Sequence, residues 1–144
     1  MYKDILLPID LAEPSSWEKT IPTSIQMARD YEAKLHLMTV IPDFGSSLVG
    51  SFFPKGFEES AMQEIKKQLK AFAEDHIPAD VPVQRIIANG TVYDEILNVC
   101  DKMSIDLIVL AAHRPKLGDY LLGPNAARVV RHAKCSVFVV RGKS

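Results

Sequence analysis

Residues 106–140 read DLIVLAAHRPKLGDYLLGPNAARVVRHAKCSVFVV, and this stretch decides the fold. Its two ends, Asp106–Ala111 and Ser136–Val140, are nearly continuous apolar runs, which are typical of strands buried on both faces. Between them a helix is predicted to begin at Gly123-Pro124, because proline is tolerated at the first helical position. Two strands joined through a helix form a right-handed crossover unit, so they are expected to lie parallel in one sheet.

The same alternation extends toward the amino terminus. Three more stretches rich in Ile, Leu and Val are predicted strands, at Asp4–Ile9, Lys34–Val40 and Val83–Ala88. Apolar residues spaced about four apart predict a helix over Phe57–Phe72. A further helix is predicted from Thr91, whose hydroxyl can cap the first turn.

The first helix is predicted near Ser15, because Ser15 and Glu18 have the spacing of a capping box. Pro22 lies inside this region, so the helix must kink there or begin afresh. With this helix the element order alternates strictly between strand and helix. The sequence therefore predicts one α/β domain over residues 1–144, an open five-stranded parallel sheet with helices on both faces.

Composition excludes several classes of protein. The 144 residues carry 17 Lys+Arg and 18 Asp+Glu, so the formal charge of −1 does not favour nucleic acid or an anionic membrane as a partner. No apolar run approaches the roughly 20 residues of a membrane helix. Two cysteines cannot form a disulfide framework or a metal site of their own. The expectation is a reduced, cytoplasmic protein.

Ligands of doubly wound sheets bind outside the carboxyl ends of the strands, where the strand order reverses. The segments at those ends are Pro8–Ala12, Val40–Phe44, Ala88–Thr91 and Ala112–Gly123. None contains the phosphate-binding GxxxxGK[ST] or GxGxxG pattern, and the chain has no GxSxG, HExxH or CxxC. The chain therefore lacks the signatures of these two phosphate-binding loops, of the nucleophile elbow, and of HExxH and CxxC sites.

The residues that remain suggest a nucleotide lying across the strand ends. The helix beginning at Gly123 offers unpaired N–H groups and a positive dipole end, which together favour an anion. His113, Arg114 and Lys116 add donors for a polyphosphate. Asp10, at the end of the first strand, can accept hydrogen bonds from a ribose diol. It can equally cap its own turn, and both roles stay open.

Two segments resemble the universal stress protein family, and the similarity is greatest to its small F/G-type subgroup. They are ILLPID at residues 5–10 and YLLGPNAARVVRHAKCSVFVVR at residues 120–141. The resemblance implies an adenine-nucleotide-hydrolase-like fold with strand order 3-2-1-4-5. It also implies a homodimer that pairs through Ser136–Val140, and it leaves open whether such dimers form tetramers.

The family has an ATP-binding branch, and resemblance to it implies that this chain has a site for ATP, ADP or AMP, with Mg²⁺ on the phosphates. The turn after the first strand holds the base and ribose, the end of the second strand touches adenine, a glycine loop holds the phosphates, and the start of the fifth strand closes the pocket. The corresponding residues here are Pro8, Ile9 and Asp10; Val40; Ala111, His113, Arg114, Gly123, Pro124 and Asn125; and Ser136, Val137 and Phe138.

The phosphate loop departs from the family form G-x2-G-x9-G-(S/T). Ala111 and Arg114 replace the first two glycines, the gap to Gly123 is one residue shorter, and Pro124 replaces the hydroxyl residue. Pro124 removes a hydroxyl and a backbone N–H, while Asn125 remains. At about 1–3 kcal/mol for each lost hydrogen bond to a charged group, affinity would fall by about one to two orders of magnitude.

Two functions of different classes follow from these residues. The first is an ATP-binding regulatory dimer of the stress response, which changes its contacts with an unidentified protein partner according to nucleotide occupancy. The alternative is a nucleotide-free dimeric scaffold of the same family. A phosphotransferase has the weakest support, because no acceptor site is recognisable. Asp119 is the only carboxylate in the loop, so ATP hydrolysis is expected to be slow at most.

Overall fold

A computed structural model describes residues 1–41, 57–112 and 123–141 of the chain. Strands and helices alternate along these segments as the apolar patterns predict. The strands are β1 (Asp4–Pro8), β2 (Lys34–Ile41), β3 (Val83–Asn89), β4 (Leu107–Ala112) and β5 (Ser136–Arg141). The helices are α1 (Thr20–Tyr31), α2 (Phe57–His76), α3 (Val92–Lys102) and α4 (Gly123–His132), and a 3₁₀ turn at Pro14–Ser16 precedes α1.

All five strands are parallel and lie in the order β3-β2-β1-β4-β5, which confirms the predicted fold. From β1 the chain winds outward to β2 and β3, then returns to the other side of β1 for β4 and β5. The order therefore reverses between β1 and β4. The helix that follows β1 packs on one face of the sheet and the helix that follows β4 packs on the other, and in doubly wound sheets this arrangement forms a ligand crevice at the carboxyl ends of the two strands.

Each face of the sheet has its own core, because successive side chains of a strand point to opposite faces. One face packs against α1 and α2, and the other packs against α3 and α4. The strand residues are apolar on both faces, which is why the strands read as continuous apolar runs. The first core includes Ile5, Leu7, Leu35, Leu37, Ile21, Leu69 and Phe72, and the second includes Leu6, Met38, Ile108, Ile96, Val99 and Val129.

The first helix begins afresh before Pro22, at Thr20. Pro22 then lies in the first turn, where the missing N–H has no intrahelical partner to lose. The predicted capping box does not form. The Ser15 hydroxyl donates to the carboxylate of Glu13 at 2.8 Å, and Glu18 lies ahead of the helix.

One buried polar side chain joins three strands near the amino edge of the sheet. His36 of β2 is only 2% exposed. Its Nε2 lies 2.9 Å from Oδ1 of Asp4 in β1, and its Nδ1 lies 3.0 Å from Oε1 of Gln84 in β3. Both ring nitrogens therefore have partners, as a buried imidazole requires.

Replacing His36 by alanine is expected to lower the free energy of unfolding by about 1–3 kcal/mol, because the partners of its ring nitrogens lose their hydrogen bonds. His132→Ala is the matched control, since His132 is exposed at the end of α4 and should change stability by about 0.5 kcal/mol or less. Urea unfolding of both variants measures the difference. Equal losses would show that the three-strand network adds no stability.

Candidate functional site

The crevice between β1 and β4 brings together the ends of four strands. Pro8 is paired with Met38, and the Ile9 N–H donates to the Met38 carbonyl at 2.8 Å, so the register places Asp10 level with Val40. Val40 in turn pairs with Ala88 of β3. Pro8, Ile9, Asp10 and Val40 therefore lie along one edge, as the sequence predicts.

One buried hydroxyl contacts three backbone groups of the turn that follows β1. Ser16 is 3% exposed, and its Oγ accepts the Asp10 N–H at 2.9 Å. The same hydroxyl lies 3.0 Å from the Asp10 carbonyl and 2.7 Å from the Glu13 carbonyl, and it can donate to either of them. Ser16 thus closes the loop back onto the end of β1. Nothing in the sequence distinguishes Ser16 from Ser15, so sequence reasoning missed it.

The Asp10 carboxylate is already oriented by its own turn. Its Oδ1 accepts the Ala12 N–H at 3.0 Å, which forms an Asx turn, and the side chain is half-buried. Among the described residues, Oδ2 accepts no hydrogen bond. Asp10 therefore caps its own turn through Oδ1, and Oδ2 stays available to another donor.

The loop between β3 and α3 depends on Gly90. Its N–H donates to the Ile41 carbonyl at 3.0 Å, which ties the loop to the end of β2. Its φ of +142° is a conformation that side chains rarely adopt, and an added Cβ would lie 2.9 Å from Oε1 of Glu95. Glycine is therefore required at this position, which belongs to the predicted strand-end segment Ala88–Thr91.

The helix α4 begins at the same edge, because it leaves from the carboxyl end of β4. Its first residue is Gly123, as predicted, so the positive dipole end of the helix lies at the carboxyl edge of the sheet. Pro124 has no backbone N–H that could bind an anion there. Ala111 is buried in the core shared with α4, and Asn125 is half-buried. His113 and Arg114 lie outside the described residues.

The structure does not bring Ser136, Val137 and Phe138 to this edge. Ser136 pairs with Leu107, the first residue of β4, whereas Ala112 at the end of β4 pairs with Arg141. At about 3.3 Å per residue, Ser136 lies roughly 16 Å along the strand from the carboxyl edge. The Ser136 hydroxyl instead accepts a hydrogen bond from Tyr2 at 3.0 Å. The start of β5 is at the amino edge because β4 and β5 are parallel.

A cation–π contact joins the two helices beside the site. The Arg128 guanidinium of α4 lies 4.6 Å from the ring centre of Tyr93, in the first turn of α3. Such a contact is worth about 0.5–1 kcal/mol at exposed sites. It fixes α4 against α3 near the carboxyl edge. Sequence reasoning missed it, because no local pattern pairs residues of different helices.

The cysteines offer no reactive centre. Burial raises the pKa of the Cys100 thiol, and the neighbouring Cys135 thiol raises it further. Burial also raises the pKa of Cys135. Both side chains are therefore neutral thiols that pack in the α3–α4 core.

Two other kinds of site are absent from the described segments. Residues 1–41, 57–112 and 123–141 contain no group of three His, Cys, Asp or Glu side chains placed to hold a metal ion. Within the same segments, no helix is both long and apolar enough to cross a bilayer.

Comparison with known proteins places this geometry in context. A family model described as the universal stress protein family matches residues 1–141. Universal stress protein G of Salmonella typhimurium is 30% identical over 144 residues, which span 98% of this chain and all of that protein. Universal stress protein G of Escherichia coli O157:H7 is 29% identical over 143 residues, with the same coverage.

Solved structures share the fold at lower identity. A crystal structure of a universal stress protein in complex with cAMP has a TM-score of 0.68, 22% identity, and coverage of 97% of each chain. A universal stress protein family protein from Arabidopsis thaliana with AMP bound has a TM-score of 0.66 and 16% identity, over 99% of this chain and 93% of that one.

Replacing Ser16 by alanine is expected to lower the free energy of unfolding by about 1–3 kcal/mol, because the Asp10 N–H loses its acceptor. Ser15→Ala is the control, since its hydroxyl contacts only the Glu13 side chain. Amide hydrogen exchange at Asp10 should accelerate in the Ser16 variant alone. Unchanged exchange there would mean that the hydroxyl does not hold the turn.

Proposed function

Because this chain belongs to the universal stress protein family, we propose that it binds an adenine nucleotide at the β1–β4 crevice. The nucleotide would regulate a cytoplasmic dimer that acts in the stress response. One observation carries the proposal. An oriented Asp10 carboxylate and the positive end of α4 lie at the same strand-end edge. Related folds hold AMP and cAMP, which present a ribose and a phosphate to a protein.

The nucleoside would lie against the end of β1. Pro8 and Ile9 bring the backbone of β1 to the crevice, and Val40 supplies an apolar surface for the adenine ring. Asp10 would accept a ribose hydroxyl through Oδ2, since Oδ1 already accepts the Ala12 N–H. The Ser16 hydroxyl would act through Asp10, because it fixes the backbone from which the carboxylate extends.

The phosphates would lie at the start of α4. Gly123 permits close approach of the backbone, and the positive dipole end of the helix attracts an anion. Asn125, His113 and Arg114 are the side chains proposed to assist. Pro124 lacks an N–H, so this cradle holds a phosphate chain less tightly than one with a hydroxyl residue at that position.

ATP, ADP and AMP all fit this donor set, and Mg²⁺ would accompany ATP by coordinating its phosphates. The described residues offer no acidic cluster to hold Mg²⁺ without the nucleotide. The chain also offers no second carboxylate beside Asp119 in the loop to position a water, so hydrolysis would be slow. A regulatory role fits these residues better than a catalytic one.

We also propose that the dimer forms through β5. This strand is an edge of the sheet, and Phe138 on it is 43% exposed. Val130 of the neighbouring α4 is 52% exposed, so two large apolar side chains face solvent on this side of the protomer. Ser136, Val137 and Phe138 would then serve the interface. If Pro124 prevents nucleotide binding, this dimer surface supports the alternative function, a nucleotide-free scaffold.

The nucleotide proposal predicts that ATP, ADP or AMP co-purifies with the protein and that the emptied protein rebinds it with micromolar affinity. Gly123→Val should abolish binding, because a branched side chain blocks the start of α4. Asp10→Asn should weaken binding about tenfold through loss of a hydrogen bond to a charged group. Calorimetry measures the affinities, with and without Mg²⁺.

Asp101→Asn is the control for the loss of one negative charge, since Asp101 is exposed on α3. It should bind as the unmodified protein does. An emptied protein that ignores millimolar ATP, AMP and cAMP would contradict the proposal and favour the scaffold.

The dimer proposal predicts that Phe138→Glu yields monomers, because it places two like charges across the interface. Val83→Glu is the matched control, since Val83 is 36% exposed on the opposite edge strand. Sedimentation velocity measures the molecular mass of each variant. A Phe138 variant that stays dimeric, or a Val83 variant that dissociates, would show that the interface does not form through β5.

A further inference from the structure

The edge of the sheet farthest from β5 carries a surface that neither the nucleotide nor the dimer uses. We propose that it docks an extended, acidic segment of a partner protein, which adds to β3 as a sixth strand. The docking surface is the trough between α2 and β3, here called the α2–β3 trough. Its lining residues are Ser60, Met62, Gln63, Glu64, Lys66, Lys67, Leu69, Lys70, Arg85 and Ile87.

The α2–β3 trough consists of two adjoining cavities of about 680 and 480 Å³. Lys66 and Arg85 line both, so the two form one continuous depression. The smaller cavity has an apolar base of Met62, Leu69 and Ile87. The depression therefore combines an apolar floor with a cationic rim.

The trough carries mainly positive charge. Lys66, Lys67, Lys70 and Arg85 are exposed around it, and Glu64 is its only acidic side chain. Among the described residues, none of the four cations forms an ion pair, and Glu64 accepts a hydrogen bond from Gln68 at 3.2 Å. The whole chain has a formal charge of −1, so the positive charge of the trough is a local concentration on one surface.

The backbone of β3 is open to a new strand. The Leu35 N–H donates to the Pro82 carbonyl and the Gly90 N–H donates to the Ile41 carbonyl, so the even-numbered residues of β3 face β2. The N–H and C=O groups of Val83, Arg85 and Ile87 therefore point away from the sheet. β3 contains no proline or glycine, and extended peptides commonly bind such an edge by strand addition.

A second copy of this chain does not fit the same edge. Pairing two copies of β3 would bring the two sets of lysines and arginines together, and like charges across an interface are unfavourable. Successive side chains of an added strand point to opposite faces of the sheet, and the whole trough lies on the face that α2 covers. In a strand with alternating acidic and apolar residues, the carboxylates would meet the cationic rim, and the apolar residues would lie on the opposite face beside Ile86 and Ala88.

The test uses the full chain without nucleotide, so its result is independent of the proposed nucleotide site. The probe is a synthetic peptide of alternating Glu and Val, long enough to span β3, and its affinity is measured by fluorescence anisotropy. The double variant Lys66→Glu/Arg85→Glu should lower that affinity by about tenfold or more, because it reverses two charges at the rim. Lys102→Glu/Lys134→Glu is the matched control, since both lysines are exposed elsewhere.

Amide hydrogen exchange reports whether the peptide pairs with the backbone. Binding should slow exchange at Val83, Arg85 and Ile87, and a peptide with N-methylated backbone amides should bind more weakly. Equal affinity for the charge-reversed and control variants, or for the N-methylated peptide, would overturn the proposal. Tighter binding of oligothymidylate than of the peptide would also overturn it, because the surface would then favour any polyanion.

Discussion

The structure depends on one constraint, which is that a parallel sheet buried on both faces must pair the backbone groups of its inner strands and cover both faces with helices. Leu6 and Leu7 are adjacent in β1, yet each is fully buried in a different core. Parallel strands cannot be joined by tight hairpins, so every connection passes through a helix and returns. All strands consequently end at one edge, and the side chains that follow them lie together there.

At that edge, the contacts proposed for the nucleoside are better formed than those proposed for the phosphates. Asp10 is oriented by the hydroxyl of Ser16 and by the Ala12 N–H before any ligand binds. Pro124 removes one donor from the start of α4, where a phosphate would lie. The affinity of such a site is expected to depend more on contacts with the nucleoside than on contacts with the phosphate chain.

The two edges of the sheet differ in chemistry although both are open strands. β5 carries the exposed aromatic ring of Phe138, whereas β3 carries the exposed cation of Arg85 beside the lysines of α2. An apolar edge favours self-association, and a basic edge disfavours it. Under the two proposals, one protomer would join a copy of itself on one side and a different, acidic protein on the other. The central strands, which carry the proposed nucleotide site, lie between the two surfaces.

Sequence alone predicted the five strands, the helices that cover them, the start of α4 at Gly123 and the edge occupied by Asp10 and Val40, because these follow from apolar periodicity and from local backbone preferences. It could not single out Ser16, because nothing in the sequence distinguishes it from Ser15. It also could not predict the linkage of His36 to Asp4 and Gln84, since those contacts join residues 32 and 48 positions apart. The predicted parallel direction of β4 and β5 already placed the start of β5 at the amino edge, against the role that the family resemblance implied for Ser136, Val137 and Phe138. Which residues of the two strands lie side by side was decided only by tertiary structure, because inter-strand register is not encoded in any local pattern.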